Sequence, residues 1–153
     1  MAYEATVTTN LRQRLTMDQL LGDGSNGSAD HALAPGEIIE SIELGIPVAS
    51  ERALYRRAIS RSYAEWPLVE VVVRAVLADR AFKLVRIVAG GIAPVPLRLL
   101  AAESAAQGAV STTATIATAV VQSTLGARPL AMTGYKLDLL RGLVRDLLEG
   151  ISA

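Results

Sequence analysis

The chain has 153 residues, of which 51% are hydrophobic and 20% are charged. This length and composition predict a globular protein with room for one compact domain and an N-terminal appendage. Fifteen basic residues balance fifteen acidic ones, so no net field favours nucleic acid or anionic lipid as a partner. The absence of cysteine excludes disulfides, thiolate catalysis and cysteine-ligated iron–sulfur clusters within this chain.

Histidine chemistry and membrane insertion are also disfavoured by the sequence. His31 is the single histidine and has no partners spaced for a metal site or a Ser-His-Asp triad, so we predict neither metal ligands nor catalytic residues. The N-terminus lacks the basic segment and apolar run of a secretory signal. Residues 109–125 are too rich in serine and threonine for a bilayer span, and we expect a cytoplasmic protein.

The first 45 residues predict short elements separated by a loop. β-Branched residues alternate over residues 3–9, as in a short strand, and Thr16 is placed to cap a helical turn over residues 16–21. Residues 22–30 are dense in glycine, serine and aspartate, a composition typical of a loop. Apolar residues alternate again over residues 37–44, which predicts a second strand.

The middle of the chain predicts a sheet. Residues 53–60 alternate in a way that favours a strand with one arginine among the apolar residues of each face. Residues 68–77 and 82–89 are two β-rich runs joined by Ala78-Asp79-Arg80-Ala81, a spacing that favours an antiparallel hairpin.

The C-terminal third predicts helices over residues 97–106, 111–123 and 133–151, and no further strand. Thr133 is the expected N-cap of the last helix. The apolar residues that share one stripe of that helix are Leu140, Leu143, Val144, Leu147 and Ile151. Because strands come first and helices last, we predict an α+β fold with an antiparallel sheet of three to four strands covered by two to three C-terminal helices.

Residues 22–27 match the dinucleotide-binding pattern G-x-G-x-x-G, but their context does not. A short helical turn precedes them where a core strand is needed, and a loop ending at Pro35 follows where a helix is needed. A pyrophosphate there would have no helix N-terminus to meet, so we predict a simple loop.

Two other groups of polar residues allow a functional and a structural interpretation. Arg52, Arg56, Arg57 and Arg61 could bind a phosphate or carboxylate, or they could lie on a solvated strand edge with ordinary surface pairs. Residues 61–67 place an arginine, a tyrosine, a glutamate and the single tryptophan in the turn before a core strand. Such a turn could present functional groups or cover the end of the sheet.

Further patterns are those of a known family. Residues 85–103 contain the pattern GG-x-A-P-x-P-x-R, followed by a glutamate in the next helix, at Gly90, Gly91, Ala93, Pro94, Pro96, Arg98 and Glu103. Pro129-Leu130 precedes a helix start at Tyr135-Lys136, and residues 33–39 fit L-x-P-G-E-I-I. Together these residues resemble the C-terminal domain of the FAD-binding subunit of molybdenum hydroxylases, the xanthine dehydrogenase and carbon monoxide dehydrogenase family. Residues 61–68 are most similar to the bacterial aldehyde oxidoreductase type.

The resemblance implies that residues 1–45 are a remnant or linker from the end of a flavin-binding domain and that residues 46–153 form the C-terminal domain. FAD would belong to the full assembly and would not be held by this chain alone. Arg57, Arg61 and Glu65 would face the flavin edge. The implied partners are a flavin-binding domain, a molybdenum-cofactor subunit and an iron–sulfur subunit. The alternatives are a flavin-free structural or assembly module, or a fragment with no independent activity.

Overall fold

The computed structural model describes residues 1–60 and 66–153. In these residues the strands are β1 (Thr6–Thr9), β2 (Leu15–Thr16), β3 (Ile39–Glu43), β4 (Glu51–Ala58), β5 (Val69–Ala78), β6 (Ala81–Gly90) and β7 (Leu97–Arg98). The helices are α1 (Met17–Leu21), α2 (Leu100–Ala106), α3 (Thr113–Gln122) and α4 (Tyr135–Ser152). They form two antiparallel sheets and a helical layer, which confirms the predicted α+β class.

The smaller sheet has the strand order β2-β1-β3 and its own small hydrophobic core. Val7, Leu15 and Leu20 are the buried residues of that core. Thr16 caps α1 as predicted: its side chain accepts the amide of Gln19, and the Gln19 side chain accepts the amide of Thr16. This reciprocal arrangement is a capping box, which satisfies two amide groups that the short helix cannot.

Glu37 explains the L-x-P-G-E pattern of residues 33–37. Its buried carboxylate accepts hydrogen bonds from the Thr9 hydroxyl at 2.6 Å, the Ala34 amide at 2.8 Å and the Arg12 guanidinium at 2.7 and 2.8 Å. These bonds, above all those from Arg12, lower the pKa of Glu37 to about 2. The glutamate therefore joins the turn before β3 to the end of β1.

The larger sheet has the strand order β4-β5-β6-β7 and contains the predicted hairpin. β5 and β6 pair from Glu70–Gly90 to Ala78–Ala81. Asp79 and Arg80, between the strands, both have positive φ values, of 52° and 60°. A two-residue turn of this hand matches the twist of a hairpin.

The helices α2, α3 and α4 cover one face of the larger sheet, here called the inner face. Val71 and Val73 of β5, with Val85 and Ile87 of β6, are fully buried against them. The whole predicted stripe of α4 is buried in the same core. β4, an edge strand of this sheet, also holds α4. Arg52 of β4 donates to the carbonyl groups of Gly150 and Ile151. These carbonyls lie in the last turn of α4, where the helix offers them no amide partner.

Two details of the prediction are wrong. A strand does follow the hairpin, because Leu97 and Arg98 pair with β6 as β7. A two-residue strand has no periodicity that a sequence could reveal. Thr133 does not cap α4, which begins after Gly134 without a side-chain cap. The Thr133 hydroxyl instead donates to the carbonyl of Leu130 and closes the turn before the helix.

The opposite face, here called the outer face, is partly covered by the N-terminal residues. Arg74, a buried residue of β5, donates to the Glu51 carboxylate at 2.7 Å and to the Ala2 carbonyl at 3.2 Å. Its guanidinium lies 5.1 Å from the centre of the Tyr3 ring. Arg74 therefore links the smaller sheet's N-terminal arm to the larger sheet.

Candidate functional site at the glycine-rich end of the larger sheet

Gly90 and Gly91 allow close packing at the end of β6. A Cβ atom on Gly90 would lie 2.6 Å from a carboxylate oxygen of Glu70. Gly91 has a φ of 74°, and a Cβ atom there would lie 2.9 Å from the carbonyl oxygen of Leu68. The first glycine thus leaves space for a polar side chain, and the second allows a left-handed turn against the backbone that leads into β5.

Lys136 brings the two halves of the sequence pattern together. Its Nζ donates to the carbonyl oxygen of Gly91 at 2.7 Å, across 45 residues of chain. The glycine pair and the Gly134-Tyr135-Lys136 helix start therefore form one structural unit. The loop between β6 and β7 and the loop between α3 and α4 lie side by side as a result.

Arg98 and Glu103, the last members of the pattern, form an internal ion pair. The buried Glu103 carboxylate accepts the Ile87 amide at 2.9 Å and pairs with both Nε and Nη2 of Arg98. These hydrogen bonds to Glu103 raise the pKa of Arg98. The pair ties α2 to the edge of β6, so its role is to hold the fold.

Polar groups lie on the outer face above Gly90. The Tyr55 hydroxyl donates to Glu70 at 2.7 Å, and this hydrogen bond raises the pKa of Tyr55. Arg57 is paired in register with Glu70 and is exposed. Arg57 makes no hydrogen bond or ion pair with any other residue that the structure describes. A tyrosine, a carboxylate and a guanidinium without a partner among the described residues are thus presented together on this part of the sheet.

The predicted site residues are only partly placed. Arg57 is on the outer face, whereas Arg61 and Glu65 lie outside the described residues. The arginine cluster is divided, because Arg52 and Arg56 are on the inner face, where Arg56 pairs with Asp146 of α4 at 2.8 Å. These two arginines follow the structural interpretation.

Tyr55 and Glu70 are outer-face residues that the sequence interpretation missed. Strand alternation already places Tyr55 on the same face as Arg57. Glu70 lies opposite Arg57 because of the register of β5 with β4, and the sequence does not show that register.

The loop that matches G-x-G-x-x-G does not fit the pyrophosphate of a dinucleotide. In the loop over residues 22–30, the Ser25 amide donates to the Asp23 carboxylate and the Ser28 amide donates to the Asn26 side chain. These amides are satisfied locally beside a carboxylate and are not free to bind phosphate. The serine hydrogen bonds also lower the pKa of Asp23, which keeps the loop anionic.

Within residues 1–60 and 66–153, no group of three or more histidine or acidic side chains is arranged to hold a metal ion. Among the helices described, none is both long and apolar enough to cross a membrane.

The sequence profile of the CO dehydrogenase flavoprotein C-terminal domain matches residues 54–151. The chain therefore belongs to this family, which confirms the predicted resemblance to the flavoprotein subunit of molybdenum hydroxylases. The match includes the hairpin, the glycine pair, the Arg98–Glu103 pair and α4. The predicted similarity to the aldehyde oxidoreductase type stays a prediction. No curated protein sequence shows significant similarity to the chain.

Solved structures share the fold at low sequence identity. Carbon monoxide dehydrogenase from Hydrogenophaga pseudoflava, in a form lacking the Mo-pyranopterin moiety, superposes with a TM-score of 0.84 at 20% identity, covering 97% of this chain and 52% of that one. Quinoline 2-oxidoreductase from Pseudomonas putida 86 gives 0.82 at 17% identity, covering 99% and 53%. Reconstituted CO dehydrogenase from Oligotropha carboxidovorans gives 0.83 at 16% identity, covering 99% and 54%. The chain spans about half the length of these structural relatives.

Proposed function

We propose that this chain is the C-terminal module of the FAD-binding subunit of a cytoplasmic molybdenum-containing hydroxylase or dehydrogenase. In that assembly it closes the flavin site and packs against partner subunits. Electrons pass there from molybdenum and iron–sulfur centres to FAD, whose ring supplies the redox chemistry. The family match over residues 54–151 supports the class of subunit.

The observation that carries the proposal is an exposed aliphatic segment, residues 38–48, which precedes the family domain in the sequence. All five residues of β3 are exposed, and β3 is an edge strand of the smaller sheet. Its large exposed side chains, with those that flank it, are Ile38, Ile39, Ile42, Leu44, Ile46 and Val48. Ile46 alone is 90% exposed. A free strand edge and an apolar surface of this kind mark a place where another domain packs.

We assign residues 1–45 to the end of a flavin-binding domain and residues 46–153 to the C-terminal domain. The two hydrophobic cores support this division, because one contains Val7, Leu15 and Leu20 and the other contains residues of β5, β6 and the helices α2–α4. The flavin-binding half that completes the smaller sheet would carry the pyrophosphate loops that the described residues of this chain lack.

Arg57, Arg61 and Glu65 are proposed to face the edge of a flavin that the partner half holds. The exposure of Arg57 and its lack of a partner among the described residues support this role. A guanidinium in that position would favour negative charge on a reduced flavin ring. Tyr55 and Glu70, on the same face, would hold the local surface in shape.

Affinity isolation of the tagged full chain from its native cells, with mass spectrometry and flavin and molybdenum analysis, tests the assembly. We expect a flavin-binding polypeptide, an iron–sulfur subunit and a molybdenum-cofactor subunit to accompany the chain. Ile42→Glu, which places a charge on β3, should release the flavin-binding polypeptide. Glu40→Lys changes the charge of the same strand without removing an apolar side chain, so it tests whether a change of charge alone causes the release. Recovery of the chain without redox subunits would contradict the proposal and favour a flavin-free structural or assembly module.

The flavin-edge assignment needs its own test in the isolated assembly. Arg57→Ala should slow reoxidation of the flavin or shift its reduction potential, because a positive charge near the ring is lost. Arg56→Ala is the matched control, since Arg56 is the neighbouring arginine on the inner face. Equal effects of the two variants would reject Arg57 as a flavin-edge residue while leaving the subunit assignment intact.

A further inference from the structure

A groove separates the β6–β7 loop from the α3–α4 loop, at the end of the larger sheet where Lys136 joins them. It consists of two adjoining cavities of about 310 and 540 Å³. The residues that line both cavities are Ile92, Ala93, Arg128, Pro129, Thr133 and Lys136. We call this feature the loop groove.

The rim of the loop groove is apolar and open. Leu125, Leu130 and Met132, on the α3–α4 loop, are among the most exposed large apolar residues of the described chain. Leu130 is 80% exposed and Met132 is 94% exposed. Large apolar side chains clustered on one loop mark a surface that a macromolecule covers. The apolar rim extends beyond the cavities themselves, which favours a protein segment over a small molecule.

The polar groups of the groove favour an acidic partner. No carboxylate is among the described residues that line either cavity. The hydroxyl groups of Ser123 and Thr133 donate to nearby backbone carbonyls, and Lys136 donates to Gly91. The Arg128 guanidinium makes no hydrogen bond or ion pair with any residue that the structure describes. An arginine at an apolar surface is suited to bidentate pairing with a carboxylate.

The groove is also held in shape before any partner arrives. Lys136 fixes the distance between the two loops, and the left-handed turn at Gly91 packs directly on the Leu68 backbone. Walls that are already ordered reduce the entropy that binding must overcome. The loop groove therefore has the properties of a preformed docking surface.

We infer that the loop groove docks an apolar segment of a partner protein, and that a carboxylate of that segment pairs with Arg128. The inference rests on the proposed function, because the partner is taken to be a subunit of the same assembly. It concerns a different surface from β3, which the flavin-binding half is proposed to cover. The two surfaces can therefore be tested separately.

The test uses the full chain with Leu130 replaced by the photo-cross-linking residue p-benzoylphenylalanine, expressed in the native cells. Replacement of Leu11, an exposed residue of the N-terminal region, is the positional control. We expect the Leu130 probe to cross-link to a partner segment that is apolar and contains an aspartate or glutamate. Arg128→Glu should reduce the cross-linked yield at least about tenfold, as loss of an interfacial charge pair predicts.

Arg145→Glu is the matched charge reversal, because Arg145 is exposed on α4 and does not line the groove. It should leave the yield unchanged, and Arg128→Lys should retain more of it than Arg128→Glu. An unfolding temperature equal to that of the wild type would show that each variant is still folded.

Several results would overturn the inference. The Leu130 probe could cross-link to a second copy of the chain, whose exposed β3 is also apolar and acidic. The cross-linked segment could lack a carboxylate, or the yield could be insensitive to Arg128→Glu. Sedimentation of the chain with phosphatidylglycerol vesicles, abolished by Arg128→Glu, would instead assign the groove to a membrane surface. If subunits are recovered with the wild-type chain but none cross-links at Leu130, the inference fails and the proposed function stands.

Discussion

At the scale of single residues, the family pattern at the end of β6 is mostly a set of packing constraints. Glu103 shows this most clearly, because its carboxylate accepts both the Ile87 amide and the Arg98 guanidinium inside the protein. Gly90 leaves space for Glu70, and Lys136 holds the Gly91 carbonyl. The residues that carry the family resemblance thus build the surface on which the exposed Arg57 and Arg128 lie.

Glu103→Gln should destabilise the protein by about 1.5–3 kcal/mol, the usual loss for a buried hydrogen bond to a charged group. The amide can still accept the Ile87 N–H but no longer neutralises Arg98. Urea denaturation measures the change. Asp138→Asn is the control, because it removes the carboxylate that pairs with Arg141 in an exposed ion pair of α4. The expected loss of stability is under about 1 kcal/mol. Equal losses would show that Arg98 is not dependent on Glu103.

Glu37 gives the smaller sheet a dependence on pH. Its pKa is lowered from 4.5 to about 2 in the folded chain, so its stabilisation is fully present above pH 4.5. That stabilisation is lost as the pH falls from 4.5 towards 2. The gap in urea midpoint between wild type and Glu37→Gln should therefore be largest near neutral pH and narrow below pH 4.5. A carboxyl ¹³C resonance of Glu37 that titrates near 4.5 would contradict this expectation.

At the scale of elements, the sequence predicts the hairpin and α4 well because each has a strong local signal. Asp79 and Arg80 fill a tight turn between two β-rich runs, and the stripe from Leu140 to Ile151 has helical spacing. The α4 cap was predicted wrongly because a threonine hydroxyl can bond a nearby backbone carbonyl in place of a helix amide, and Thr133 bonds Leu130. β7 could not be predicted, because its pairing with β6 depends on a tertiary neighbour. The same holds for Glu70, whose place opposite Arg57 is fixed by strand register.

Substitution by alanine should have opposite effects on stability at two glycines, one in the turn after β6 and one in the middle of α4. Gly91→Ala should destabilise the protein, because the new Cβ atom would lie 2.9 Å from the Leu68 carbonyl at a φ of 74°. Gly142→Ala should stabilise it by about 1 kcal/mol, since nothing lies within 4 Å of the new Cβ and alanine favours a helix. Thermal unfolding of both variants provides the comparison. A neutral Gly91→Ala would show that the loop can relax away from β5.

At the scale of the whole molecule, the chain contains two cores of unequal size joined by Arg74. The larger core includes the inner face of β5 and β6 with three helices, whereas the smaller has three buried residues. β3, at the outer edge of the smaller sheet, is exposed along its length. Nothing in the sequence of residues 37–44 distinguishes an edge strand that another domain covers from one that faces solvent. The period of two is the same in both cases.

Unequal cores predict unequal local stability in the isolated chain. Amides of β5 and β6 should exchange with deuterium only through global unfolding, and amides of β1 at least about tenfold faster, because few apolar contacts hold the smaller sheet. Leu20→Ala should speed exchange in residues 1–45 alone, whereas Leu148→Ala, in the larger core, should speed it throughout. Equal protection of the amides in both sheets would show that the chain unfolds as one cooperative unit. Slower exchange in β1 and β3 after a flavin-binding partner is added, with β5 and β6 unchanged, would place that partner on the smaller sheet.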